Sequence, residues 1–97
     1  MFVFPNVVTY EWDEEKRERN LAKHVLDFID AKLIYECEDK ITLSCEMNGE
    51  IRHMDLAPLH GRLATLIYTM RGEKIRIISF RIAKRPEETD IYEQHKR

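Results

Sequence analysis

Arginine and tyrosine side chains in the second half of the chain are the groups whose types and spacing best suit chemistry. Arg52, Tyr68, Arg71, Arg76, Arg81, Lys84 and Arg85 lie on or beside segments that are apolar or alternate in polarity. Arginine presents a planar fork that matches phosphate oxygens, and a phenol can stack on a base or share a proton, so the set suits RNA. The charge distribution concentrates this potential. Residues 1–51 carry a net −6 and residues 52–97 a net +4, and from Arg62 to Arg85 seven cations face only Glu73. That stretch is a candidate surface for an anionic ligand. Within it, Arg62, Arg71 and Lys74 fall at turns and read as solvated charges. Arg81 ends an apolar strand and Arg85 precedes a helix, positions that often rim a cleft. Lys23 and His24 close the first helix, where His24 either caps carbonyls or carries a proton.

Other chemistries lack their parts. His24, His53, His60 and His95 form no i,i+4 pair with carboxylates and no cluster with cysteine, so neither a metal nor a cofactor is expected. Ser44 and Ser79 sit inside strands without the sharp turn that exposes a nucleophile, and the three glycines fall in separate turns, which leaves no phosphate-cradling loop. Cys37 and Cys45 lack CxxC spacing and read as reduced thiols. No apolar run approaches the roughly 18–20 residues that span a bilayer, and Met1–Thr9 lacks the pattern of a signal peptide. The expectation is a cytoplasmic protein. With 97 residues, 43% of them hydrophobic, the chain supports one domain over 1–97, and its overall net charge of −2 argues against a generic polyanion binder.

The elements that must position these residues can be read from period and punctuation. Val7–Trp12 is rich in β-branched and aromatic residues, and Asp13 then caps a helix from Glu14 to about His24. Asp27 caps a second short helix to about Tyr35, with Phe28, Ala31, Ile34 and Tyr35 turned to the core. Ile41–Met47 alternates like a half-buried strand, and Asn48-Gly49 predicts a two-residue hairpin that pairs Met47 with Glu50, Cys45 with Arg52, Leu43 with Met54 and Ile41 with Leu56. Arg52 thereby shares the apolar face, either stretched along the sheet or presented in a concave site. Leu63–Thr69 is apolar on both faces, as a central strand would be. Lys74–Arg81 follows, with Ile75, Ile77, Ser79 and Arg81 expected on one side and Arg76, Ile78 and Phe80 on the other. Pro86-Glu87-Glu88 suits the first turn of a last helix. The order predicts an α+β fold with an antiparallel sheet, two N-terminal helices packed on one face and a C-terminal helix.

A family resemblance rests on two separated blocks. Glu11-Trp12-Asp13-Glu14-Glu15-Lys16, Asn20-Leu21-Ala22-Lys23-His24 and Asp27-Phe28 resemble the N-terminal signature of BrnT toxins, and Ile75–Ala83 resembles their last-strand motif, with Tyr92-Glu93 near the end. The resemblance implies a RelE-like fold and a toxin of a type II toxin–antitoxin module. It also implies RNA cleavage, inhibition of translation, and neutralisation by the DNA-binding antitoxin BrnA, with DNA reached only through that antitoxin and a toxin dimer possible within the complex. Three positions differ from the usual family pattern: Val25 stands for glycine, Tyr68 for histidine and Glu88 for arginine. The first functional expectation is a metal-independent endoribonuclease with Arg81 and Arg85 clamping phosphate, helped by Arg52 or Arg76, and Tyr68 positioning the base or 2′-OH. Lys23, His24, Arg71 and Lys84 complete the RNA contacts, with Lys23, His24 and Lys84 as proton-transfer candidates. The second expectation is a binding module without turnover, either a toxin reduced to antitoxin binding or a small RNA-binding domain.

Overall fold

The computed structural model describes residues 8–96; Met1–Val7 and Arg97 lie outside the described residues, and Val7, the first residue of the expected opening strand, falls there. That strand, β1 (Thr9–Glu11), leads into helix α1 (Glu14–His24). Asp13 starts the helix as expected, its carboxylate accepting the Lys16 N–H at 3.2 Å, while Glu14 and Glu15 face the positive dipole end. The helix stops at Val25, which takes the left-handed conformation with φ of 62° and donates its N–H to the Leu21 carbonyl at 2.9 Å. A β-branched side chain is strained there, and at 79% exposure it gains no burial in return. Val25→Gly is therefore expected to stabilise the fold by about 1 kcal/mol, raising Tm by roughly 4–8 °C in a thermal melt. An unchanged or lower Tm would contradict the assignment of strain to this residue.

Asp27 caps a 3-10 turn, Phe28–Ala31, that runs into the single-turn helix α2 (Lys32–Tyr35). Its carboxylate accepts the Ile29 N–H at 3.1 Å and both Arg17 donors at 2.8 and 3.0 Å, which ties the second helical segment to α1. Phe28, Ala31 and Ile34 are fully buried against the sheet.

The remaining strands are β2 (Ile41–Met47), β3 (Glu50–Leu59), β4 (Arg62–Arg71) and β5 (Lys74–Ile82), in the order β1-β5-β4-β3-β2. The hairpin register is the predicted one at all four pairs, and Asn48 and Gly49 both have positive φ, 52° and 78°, as a type I′ turn requires. β4 is the central strand and is buried on both faces at Ala64–Leu66. The sheet is not wholly antiparallel, because β1 pairs parallel with β5 through Thr9–Lys74, Tyr10–Ile75 and Glu11–Arg76. The chain returns to that edge only after the whole antiparallel run, so no local turn could reveal the pairing.

One further expectation about sidedness is corrected. A register shift at Ile67/Tyr68 inserts an extra residue in β5, so Phe80 joins Ile75 and Ile77 in the core while Arg81 turns to the same side as Arg76. The last helix, α3 (Glu87–His95), crosses the face opposite α1 and α2, where Glu88 meets Thr65 and Arg81 and the Tyr92 hydroxyl donates to the Asp39 carbonyl at 3.0 Å. The N-terminal helices thus cover one face of the sheet, and α3 covers one end of the other. Among the described residues nothing covers the rest of that second face.

Beyond β1, the outer edge of β5 has no strand partner. Asn20 of α1 fills the place, its amide donating to the Phe80 carbonyl at 2.7 Å and its carbonyl accepting the Phe80 N–H at 3.2 Å. This satisfies backbone groups that would otherwise be buried alone, and it locks α1 beside the strand that carries Arg81.

Candidate functional site

Cross-strand partners point to the same side of a sheet, so the register alone assembles the open face. Arg52, Thr69 and Arg76 form one row across β3, β4 and β5, and Arg71 and Lys74 form the next row towards the free end. Arg81 pairs with Thr65 under the edge of α3. Five cations therefore share a surface that the alternation of β5, read without its bulge, would have divided. Their counter-charges differ. Arg76 lies 3.8 Å from Glu11, a loose and half-exposed contact, whereas Arg81 is held by both oxygens of Glu88 at 2.8 and 2.7 Å. Arg52 makes no salt bridge among the described residues, and its buried Nε has no hydrogen-bond partner.

Glu88 was legible only as an acid in the first turn of a helix. In the structure it is a buried hub: it also accepts the Thr65 hydroxyl at 2.7 Å and the Lys84 N–H at 2.9 Å. Burial pushes its carboxyl up, but the bonds from Arg81, Lys84 and Thr65 outweigh that and hold its pKa at about 2. Lys84, beside it, is exposed, and Arg85 opens not onto the sheet but into a separate cleft of about 320 Å³ shared with Arg62 and Tyr92.

His24 and Lys23 approach the face from α1, in a groove of about 290 Å³ whose far wall is Ile78 of β5. Burial lowers the His24 pKa from its ordinary 6.5, and the charges of Lys23 and Arg81 lower it further, so its imidazole is neutral at pH 7 and close enough to sense Arg81. Tyr68 is elsewhere. It faces the helices at 4% exposure, its ring edge-on to Tyr35 at 5.3 Å, and its hydroxyl donates to Asp55 at 3.1 Å. Burial and the Asp55 carboxylate both push the phenol upward, so it remains a neutral donor within the core. Tyr68 is on the far side of the sheet from the open face, so it does not touch a ligand bound there. Among the described residues no group of three or more His, Cys, Asp and Glu could hold a metal, and no helix is long and apolar enough to cross a membrane.

An open basic half-sheet is suited to gripping the backbone of a polyanion. Comparison with known families matches residues 12–87 to BrnT, the ribonuclease toxin of type II toxin–antitoxin systems. The chain belongs to this family. No curated protein sequence matches it. Membership makes the BrnT chain a ribonuclease toxin at the level of the family description, with RNA as target and an antitoxin as partner. The matched span contains β2–β5, Arg52, Arg76 and Arg81, together with His24 and the Asn20 edge clamp. It ends at Glu87, so most of α3 and its Tyr92 lie outside the match.

Proposed function

We propose that this BrnT chain is a RelE-like, metal-independent endoribonuclease that binds single-stranded RNA across the open half of the second sheet face. The observation that carries the reading is the row Arg52–Thr69–Arg76 with Arg81 and neutral His24 at its border. In this chemistry the 2′-OH oxygen attacks the adjacent phosphorus and the bond to the 5′ oxygen breaks, leaving a 2′,3′-cyclic phosphate. His24 accepts the 2′-OH proton, and Lys23 or Lys84 returns one to the leaving oxygen. Arg76 and Arg81 stabilise the charge that grows on the phosphoryl oxygens, which costs least when donors are fixed beforehand. Arg71 and Lys74 extend the grip on the backbone by simple charge attraction.

Cleavage of cytoplasmic RNA would inhibit translation, and a BrnA-like antitoxin with an acidic and apolar surface would cover the same face, so antitoxin and RNA would compete. Two toxins meet in one complex through that partner in this reading. A binding module without turnover is the second reading, and the pinning of Arg81 by Glu88 is the observation that favours it.

The experiment is incubation of the purified chain with RNA in EDTA, alone, with the antitoxin, and as Arg76→Ala. The wild type should cleave in EDTA, release cyclic phosphate ends and stop when antitoxin is added. Arg76→Ala should lose roughly 10²–10³ in rate, the scale for removing one transition-state donor. RNA that persists as in buffer would leave only the binding module, and activity restored only by added metal would refute metal independence.

A further inference from the structure

We infer that the groove around Arg52 is a nucleobase subsite that selects guanine. The inference rests on the reading that RNA lies on this face, and it goes beyond it by naming what the site distinguishes. The groove is an open cavity of about 460 Å³ between β2, β3 and β4, walled by Leu43, Met47, Met54 and Ile67, with Arg52 beside them. Leu43, Met54 and Ile67 form one row of the sheet, and Cys45, Arg52 and Thr69 form the adjacent row. An apolar strip is thus set directly against a guanidinium.

That guanidinium is the unusual part. Arg76 and Arg81 on the same face have carboxylates within 4 Å, whereas Arg52 has no salt bridge among the described residues. Its Nε is shut off from solvent and lacks a partner. A buried donor without an acceptor is unfavourable, and a guanidinium with no carboxylate to give up can turn its fork into the groove, where acceptors on a ligand would meet that demand. The demand has a shape: two coplanar acceptors for the planar fork, carried by a flat body with apolar faces to lie against Met47, Met54 and Leu43.

Among nucleobases, guanine supplies this on one edge through O6 and N7. Adenine presents N7 beside an amino donor, which opposes the guanidinium; uracil alternates carbonyls with an N–H donor, and cytosine, whose O2 and N3 are adjacent acceptors, has a single ring that covers less of the apolar wall than a purine. Arg52 also stands two strands from Arg76, about 10 Å, so a phosphate gripped at Arg76 leaves a neighbouring base within reach of the groove. A carboxylate from a protein partner shares the two acceptors, but it lacks the flat apolar body that the wall would cover.

The test is fluorescence anisotropy of the full chain with non-cleavable 2′-O-methyl oligonucleotides that differ at one position. Guanine should bind about 10–100-fold tighter than adenine there. Inosine keeps O6 and N7 and should match guanine, whereas 7-deazaguanine lacks N7 and should bind about tenfold weaker. Arg52→Met, which keeps a long flexible side chain in the groove but removes every donor, should bring the guanine-to-adenine ratio close to one, whatever happens to overall affinity, while Met54→Ala should weaken every base and preserve the ratio. These RNA-side substitutions use the unaltered protein, so the result does not depend on how a variant folds. Equal affinity for all bases, or a preference that survives Arg52→Met, would overturn the inference, as would an acidic peptide that occupies the groove on a chain with no base preference. Selective binding without cleavage would refute the nuclease reading and leave this one standing. Cleavage without selectivity would do the reverse.

Discussion

Replacing Arg81 with alanine is expected to cost about 3–5 kcal/mol of folding stability, because it leaves a buried carboxylate without its counter-charge. The pair is largely out of water, with side-chain exposures of 13% for Arg81 and 10% for Glu88. Two parallel bonds at 2.8 and 2.7 Å would vanish together, and only Thr65 and the Lys84 N–H would remain to solvate Glu88. The second substitution Glu88→Gln removes the stranded charge and keeps an acceptor for Thr65 and Lys84. Urea unfolding at pH 7 should therefore find the double variant more stable than Arg81→Ala by about 2 kcal/mol. A double variant no better than the single one would show that the ion pair is not the source of the loss.

The same pair sets an acid limit. The Glu88 carboxyl is held at about 2 against an ordinary 4.5, so its contribution is complete above pH 4.5 and is lost as pH falls towards 2. The difference corresponds to about 3 kcal/mol, and Glu88→Gln should remove that part of the acid sensitivity. For function, the consequence is that an Arg81→Ala loss of cleavage reports folding as well as phosphate contact. Arg81→Ala should still lose more activity than Arg62→Ala, because Arg62 lines the other cleft, but Arg76 is the cleaner probe of the open face.

How much of this was legible in the sequence depended on whether the determining contact was local. Asn48-Gly49 fixed the hairpin by its own backbone preference, and the seven-residue alternation of Ile41–Met47 then carried Arg52 to the apolar side of the sheet, where the structure has it. Asp13 and Asp27 announced their helices because a cap acts within three residues. The bulge in β5 was not legible. It depends on how β4 and β5 settle against the helix layer, and a single inserted residue reverses the side of everything after it. Arg81 and Phe80 were consequently exchanged between faces. Glu88 and Asn20 were missed for a related reason, since each serves backbone or charge from a distant segment: Asn20 to Phe80 and Glu88 to Thr65. Family resemblance singled out Asn20 within a motif, but only the unpaired edge of β5 explains the residue.

Tyr68 was expected at the ligand because its type suited one, yet its place in β4 puts it opposite His53 on the helix side, and that surrounding leads to the other large effect. Asp55→Ala is expected to destabilise the chain by about 3 kcal/mol, as loss of the acceptor strands several donors in a closed space. Asp55 is fully buried and accepts from Lys40 at 2.8 Å, Thr42 at 2.6 Å and Tyr68 at 3.1 Å. Lys40 is less dependent on it, because its side chain is 24% exposed and its ammonium lies 4.0 Å from the Tyr35 ring centroid, where the ring face attracts it. The Tyr68 hydroxyl has no such recourse at 4% exposure. Asp55→Asn should cost less, about 1–2 kcal/mol, since one oxygen still serves Thr42 and Tyr68 while the new amide faces Lys40. Tyr68→Phe in the Asp55→Ala background should recover part of the loss by removing the stranded hydroxyl. Urea unfolding of the wild type and these four variants measures all of this, and a Tyr68→Phe change that costs as much in the Asp55→Ala background as alone would show the two side chains to be uncoupled. Asp55 lies between Met54 and Leu56 on β3, whose side chains turn to the opposite face, so the network also steadies the strand that carries Arg52. Asp55→Ala should consequently loosen RNA binding on a face that Asp55 itself never touches.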